Sequence, residues 1–278
     1  MKKKGNLSTI LLIVILVMGL SLMLYPTVSE AWNTRYHKKT IDNYENVITK
    51  MDTSEYEAMW DDAVAFNNRT RESFSHFSLT DGEKETYDSL LNLTNDGIMG
   101  YVEIPSIGVK LALYHGTSDA VLQVGVGHLE WSSLPVGGEG THTIMSGHRG
   151  LPSARLFTDL DQLGEGDVFI LHILHETLTY EVDQILIVLP DESEPLLPEE
   201  GKDLCTLITC TPYGVNSHRL LVRGHRVENA AQAVKVRVTA DALRVSSLGV
   251  AAVLYAPILI LFLSIQMVVD RRTSRKRF

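Results

Sequence analysis

No charged residue occurs between Gly5 and Ser29, and Leu7 to Tyr25 is almost wholly apolar. As a helix, such a run covers the roughly 30 Å hydrocarbon core of a bilayer. Val245 to Val269 repeats the pattern near the other end, free of Asp, Glu, Lys and Arg, with Arg271, Arg272, Arg275, Lys276 and Arg277 directly after it. Lys2, Lys3 and Lys4 precede the first run. Basic flanks favour the cytoplasmic side, so both ends are expected inside and the intervening chain outside the cell membrane, a two-pass arrangement. A cleaved signal peptide is the alternative for the first run, with Ser29-Glu30-Ala31 as the cut site. Its apolar length exceeds the roughly 7–15 residues of a usual signal core, which favours a retained anchor.

The charge balance narrows the partners. Of 25 Lys and Arg, eight lie at the two basic ends, where only Asp270 of the 34 acids is found, so the rest of the chain holds 17 basic against 33 acidic residues. A middle this acidic excludes nucleic acid as a partner, because phosphate binding needs a basic face. No glycine-rich phosphate loop or Gly-x-Gly-x-x-Gly run occurs in the 278 residues, so no nucleotide and no cofactor is implied.

Between the anchors the patterning changes once. Ile41, Tyr44, Ile48 and Met51 recur at helical spacing, and Tyr56, Trp60, Ala63 and Val64 continue it, so two or three amphipathic helices are expected up to about Leu93. Their apolar stripe is expected to pack against the next domain. After Asn95-Asp96-Gly97 come short β-type runs at Tyr101–Ile104, Val109–Tyr114, His142–Met145, Val168–Ile173, Leu178–Val188, Leu204–Thr209 and Leu220–Val227. Seven such runs with few long helices point to a mainly β fold, a closed barrel or a sandwich. The acidic Pro190–Gly201 stretch reads as a solvated loop. The expected organisation is a basic start and membrane helix at 1–25, a helical region at 26–96, a β domain at 97–230, a linker at 231–244, a second membrane helix at 245–269 and a basic tail at 270–278.

Cys205 and Cys210 lie five residues apart in one β-type run, facing opposite sides about 16 Å apart, too far to close a disulfide. An unpaired thiol outside the cell needs a reason. Cys205 reads as a core residue, whereas Cys210, just before Thr211-Pro212-Tyr213-Gly214, ends the strand where a nucleophile would protrude. Such a thiol needs a proton-handling partner and an oxyanion donor. Among ten histidines, His148 is best placed, in the glycine-flanked turn Ser146-Gly147-His148-Arg149-Gly150; His142 is its rival in the same run. There is no His-Glu-x-x-His, the two cysteines cannot converge, and His172-x-x-His175 is a poor zinc pair, so no metal is expected.

The run Thr206-Leu207-Ile208-Thr209-Cys210-Thr211-Pro212-Tyr213-Gly214-Val215-Asn216-Ser217-His218-Arg219 resembles the signature of the sortases, most of all class C, the pilus-assembling transpeptidases of Gram-positive bacteria. Gly97–Pro105, Tyr114–Thr117, Gly125–Leu129, Ser132–Gly138 and Ser146–Leu151 support it. The resemblance implies a closed sortase-like β-barrel, with N-terminal amphipathic helices and a transmembrane helix at each end. It implies Cys210 as nucleophile, His148 as proton donor and acceptor, Arg219 as the oxyanion or substrate-positioning cation with Arg223 as fallback, and Thr209 with Arg219 as substrate contacts. The implied substrate is a Leu-Pro-x-Thr-Gly-like sorting signal and the implied acceptor a pilin lysine, so pilin subunits and the lipid bilayer are the expected partners. Attachment to peptidoglycan and a silent binding module are the alternatives. Many class C members carry an Asp-Pro-aromatic lid; this chain has no Asp-Pro, so a lid is expected near Glu72–Asp81 with Phe74, His76 or Phe77 as the plug, or else the groove stands open.

Overall fold

The computed structural model describes residues 5–71 and 77–229. Helix α1 runs from Gly5 to Ile48 without a break and takes in Pro26. The anchor expected at 1–25 and the first of the helices expected beyond it are thus one continuous helix: one proline forfeits one helical hydrogen bond, and the turns on either side sustain it. Among the described residues this is the one helix long and apolar enough to cross a membrane. Its apolar side chains are exposed at Ile10, Leu11, Leu12, Ile13 and on to Leu22, as a membrane anchor requires. The expected second span, 245–269, lies outside the described residues, as does the linker at 231–244.

The barrel is closed by the residues' own alternation. Strands β1 (Ile98–Ile104), β2 (Val109–His115), β3 (Val126–His128), β4 (Thr141–Ser146), β5 (Val168–Ile173), β6 (Glu176–Val188), β7 (Asp203–Thr211) and β8 (His218–Val227) join in the order β1-β2-β3-β4-β7-β8-β6-β5. Pairs β2–β3 and β4–β7 are parallel and the other six antiparallel. One face of each strand fills the interior, where Val102, Leu113, Phe169, Tyr180, Cys205, Leu207 and Val222 are buried together. All seven runs expected from the sequence are strands, most of them longer by one to three residues. The eighth, β3, is three residues long, too short to display alternation, and the helix α4 (Asp119–Val124) that leads the chain from β2 back to its parallel partner was likewise unread.

The helices pack where their stripes predict. Ile41, Tyr44 and Ile48 of α1 bury against Ile98, Tyr101, Ala112 and Tyr114. The Tyr44 hydroxyl donates to the Met99 carbonyl at 2.8 Å and accepts from the Leu174 N–H at 2.9 Å, tying α1 to both β1 and the β5–β6 turn. Helix α2 (Thr53–Thr70) sets Ala63 and Phe66 into the main core, and α3 (Asp81–Ser89), opened by a Thr80–Glu83 capping box, adds Tyr87. Tyr87 in turn donates to His128 Nδ1 at 2.9 Å, which fixes α3 on β3.

Candidate active site

Strand parity separates the two cysteines. Cys205 is fully buried in the interior, and that burial, with the Asp203 carboxylate nearby, pushes its thiol well above the usual range. Cys210 is partly exposed on the outer face near the end of β7, and both thiols are free. A thiol held neutral inside the core is no nucleophile, whereas one at a strand end on the outer face is accessible to substrate.

The ladders bring two further groups to Cys210. On the antiparallel side, Arg219 of β8 is its direct partner. On the parallel side, β4 and β7 run in constant register from Thr141 opposite Asp203 to Ser146 opposite Ile208, and the Gly147 N–H still donates to the Ile208 carbonyl at 3.0 Å. Continued for two more residues, that register would set His148 level with Cys210 at one strand spacing, about 4.8 Å. Gly147 makes this turn possible by its lack of a side chain: a Cβ there would stand 2.6 Å from the Phe157 ring. The Phe157 N–H donates to the His148 carbonyl at 3.1 Å, anchoring the imidazole-bearing residue from the other side.

The remaining candidates fall into place around this trio. The Arg219 guanidinium meets only main-chain carbonyls among the described residues, those of Asn216 at 3.3 Å and His218 at 3.1 Å. Arg223 lies on the same face, but its guanidinium holds both Asp183 oxygens at 3.0 Å and Glu199 at 2.6 Å. His142 is buried beneath the β6–β7 connection, where Nδ1 donates to the Leu197 carbonyl at 3.0 Å and Nε2 accepts from Thr206 at 2.7 Å. That geometry needs the neutral imidazole, and burial pushes its pKa down to about 4. Six residues of strand, about 20 Å, separate it from His148. Thr209 is buried, and its hydroxyl donates to the Gly147 carbonyl at 2.8 Å. Phe77 sets its ring edge against Trp131 with centroids 5.0 Å apart; Phe74 and His76 lie outside the described residues. His172 stacks on Tyr101 and His175 meets Tyr56, and no cluster among the described residues could hold a metal.

Sequence reasoning missed a buried apolar cluster on the outer face of the barrel. On the face that carries Cys210, Ile144, Ile208, Leu221 and Val188 form a cluster of their own with Trp131 beside it. Leu196, from the stretch read as a solvated acidic loop, closes over them. The signal was present in the even spacing of Ile208 from Cys210 and of Leu221 from Arg219, which puts all four on one face.

A partly exposed thiol with a guanidinium across the ladder and a glycine-flanked histidine turn at the neighbouring strand end, on a closed barrel, is the kind of arrangement that cysteine-dependent acyl transfer requires. The Sortase domain family matches residues 102–227. Sortase C1 from Streptococcus agalactiae is 51% identical, with 69% of this chain covering 99% of that one at a TM-score of 0.62. Sortase C from Streptococcus pneumoniae is 42% identical over 70% of this chain and 99% of that one, at 0.60. Sortase D of Bacillus subtilis (strain 168) is 31% identical over 131 residues, 46% of this chain, which spans 63% of that relative's length. The chain belongs to the sortases, a family of cysteine transpeptidases, and its structural neighbours include class C members.

Proposed function

We propose that this protein is a membrane-anchored pilus-assembling sortase, in which Cys210 is the nucleophile, His148 the proton carrier and Arg219 the oxyanion donor. The observation that carries the reading is the register: one ladder sets Arg219 opposite Cys210, and the other, extended by two residues, brings His148 level with it. The substrate is a Leu-Pro-x-Thr-Gly-like sorting signal whose threonine carbonyl reaches Cys210 at the end of β7. The Cys210 thiolate attacks the threonine carbonyl carbon, a C–S bond forms, and the C–N bond to glycine breaks as the His148 imidazolium protonates the leaving amine. Arg219 donates to the oxygen that bears the developing charge. A neutral lysine amine of the next pilin subunit then attacks the thioester, its proton passes to His148, and the thiolate is released. Acyl energy is conserved throughout, so no nucleotide is required. The pilin acceptor is favoured over peptidoglycan by the kinship with class C; the pneumococcal sortase C structure bears on pilin substrate specificity.

In this reading both terminal segments anchor the enzyme beside substrates that are themselves membrane-bound, which raises their effective concentration. A lid near Glu72–Asp81 stays part of this reading, supported by the contact of the Phe77 ring with Trp131. The test is the intact mass of the full chain in detergent micelles after incubation with a Leu-Pro-Glu-Thr-Gly peptide and no amine. A thioester-sized gain, absent in Cys210→Ala, is expected. No gain in wild type, even with Phe77→Ala, would overturn the transpeptidase reading.

A further inference from the structure

We infer that Arg149 is a positioning residue that locks the His148 turn to the strand end carrying Cys210. The inference rests on the reading of those two residues as the catalytic pair.

Backbone pairing between β4 and β7 stops one residue before His148, with the Gly147 N–H on the Ile208 carbonyl at 3.0 Å. Beyond that point two side chains take over. Thr209 donates from β7 to the Gly147 carbonyl at 2.8 Å, and Arg149 donates from the turn back to the Thr211 hydroxyl at 3.3 Å. Gly147 and Arg149 flank His148, while Thr209 and Thr211 flank Cys210, so the pair is bracketed by one clamp on each side. The Arg149 clamp reaches further. Its second terminal nitrogen bonds Asp161, and its guanidinium lies 5.9 Å from the centroid of the Tyr213 ring. Tyr213 in turn lies by Gly150, whose φ of +77° disfavours a side chain and where an added Cβ would stand 3.1 Å from the ring. One guanidinium thus joins three segments: the histidine turn, the loop after the cysteine and the connection that carries Asp161.

Stability alone does not account for this arginine. Its side chain is 8% exposed while Asp161 is 46% exposed, and Nε is buried with no hydrogen-bond partner among the described residues. A buried cation with an unmet donor and a solvated counter-ion contributes little to folding, and an apolar residue of like volume would serve as well. Its planar fork is what spans Thr211 and Asp161 at once, which the single ammonium of lysine cannot reproduce. For a nucleophile and proton carrier on two different strand ends, a shift of about 1 Å costs on the order of 10²-fold in rate.

The experiment measures single-turnover thioester formation by the full chain in detergent with a Leu-Pro-Glu-Thr-Gly peptide. Maximal rate and half-saturating concentration are read separately for wild type, Arg149→Ala, Arg149→Lys, Thr211→Val and the Arg149→Ala/Thr211→Val double variant. Iodoacetamide alkylation of Cys210 gives a reading that needs no peptide. We expect Arg149→Ala to lower the maximal rate by about 30- to 100-fold with the half-saturating concentration within about twofold. Arg149→Lys should recover only part of the loss. The double variant should be no slower than Arg149→Ala, because both changes break one contact. A wild-type rate in Arg149→Ala, a loss confined to half-saturation, or losses that multiply in the double variant would each overturn the inference. Should Arg149→Ala fail to fold, Thr211→Val carries the test, with a loss of at least about threefold in maximal rate expected. Should wild type form no thioester, the transpeptidase reading falls instead, and an alkylation rate unchanged by Thr211→Val and Arg149→Lys would overturn the positioning role by itself.

Discussion

Cys210 faces Arg219 across the β7–β8 ladder, while Cys205, five residues earlier on the same strand, is fully buried and faces Gly224. The two thiols are therefore chemically distinct by strand parity alone. Native protein treated with a small alkylating reagent is expected to take up one equivalent, on Cys210, and a second only after denaturation, as read by peptide mass. Cys205→Ala should leave acylation near wild type and lower stability by roughly 1 kcal/mol for the small cavity it leaves. Rapid labelling of Cys205 in the native chain would contradict this assignment.

The two arginines on the outer face should separate just as cleanly. Arg219 meets only carbonyls among the described residues, so Arg219→Lys is expected to fold normally yet lower the acylation rate by about 10²-fold, since one oriented donor is lost. Arg223 has a 14% exposed side chain and is the node between Asp183 and Glu199. Arg223→Met should cost about 2 kcal/mol in urea unfolding with little change in rate per folded molecule. The reverse pattern would exchange the roles of the two residues.

What the sequence revealed tracks how local the signal was. The helical stripe of Ile41, Tyr44 and Ile48 and the seven β-type runs are periodicities of neighbouring residues, and the structure buries them as read. Cys210 and His148 were singled out by their places at a strand end and in a glycine-flanked turn, and Arg219 through a motif, for whose spacing the fold adds a reason: the β7–β8 connection returns Arg219 to the level of Cys210. What stayed hidden depends on contacts between distant segments. Nothing near Leu196 announces that an acidic loop folds back onto Ile144 and Ile208. Nothing near Pro26 announces that α1 continues to Ile48. His142 and His148 share parity in one run; the glycine-flanked turn favours His148 from sequence, and the cover over His142, from Leu197, adds that His142 is a buried structural imidazole.

Gly147 is the point at which packing controls the turn that carries His148. A Cβ would lie 2.6 Å from the Phe157 ring, itself fully buried, so Gly147→Ala cannot be accommodated without moving the turn. We expect a stability loss of roughly 1–3 kcal/mol from overpacking, together with slower acylation. Phe157→Leu in the Gly147→Ala background should recover part of both, because it clears the space the new methyl needs. Recovery of stability without rate would show that the turn's position does not matter to catalysis.

Acid should unfold this domain through its buried histidines. His128 accepts from Tyr87 at Nδ1 and donates to the Ser133 carbonyl from Nε2 at 2.8 Å, so the fold requires the neutral ring, and burial pushes its pKa down to about 3. His142 is pushed down to about 4 for the same reason. The unfolded chain titrates these groups near 6.5 and so binds protons that the native state refuses. Their contribution is therefore whole above about pH 6.5 and is lost as pH falls toward the folded values, by about 2 kcal/mol for each at pH 5. Urea midpoints measured from pH 7.5 to 4.5 should fall accordingly. His142→Gln keeps a donor and an acceptor but cannot take a proton, so its midpoint, even if lower at pH 7.5, should fall less steeply below pH 6.5. Parallel curves for the variant and wild type would mean that His142 titrates alike in the folded and unfolded chain.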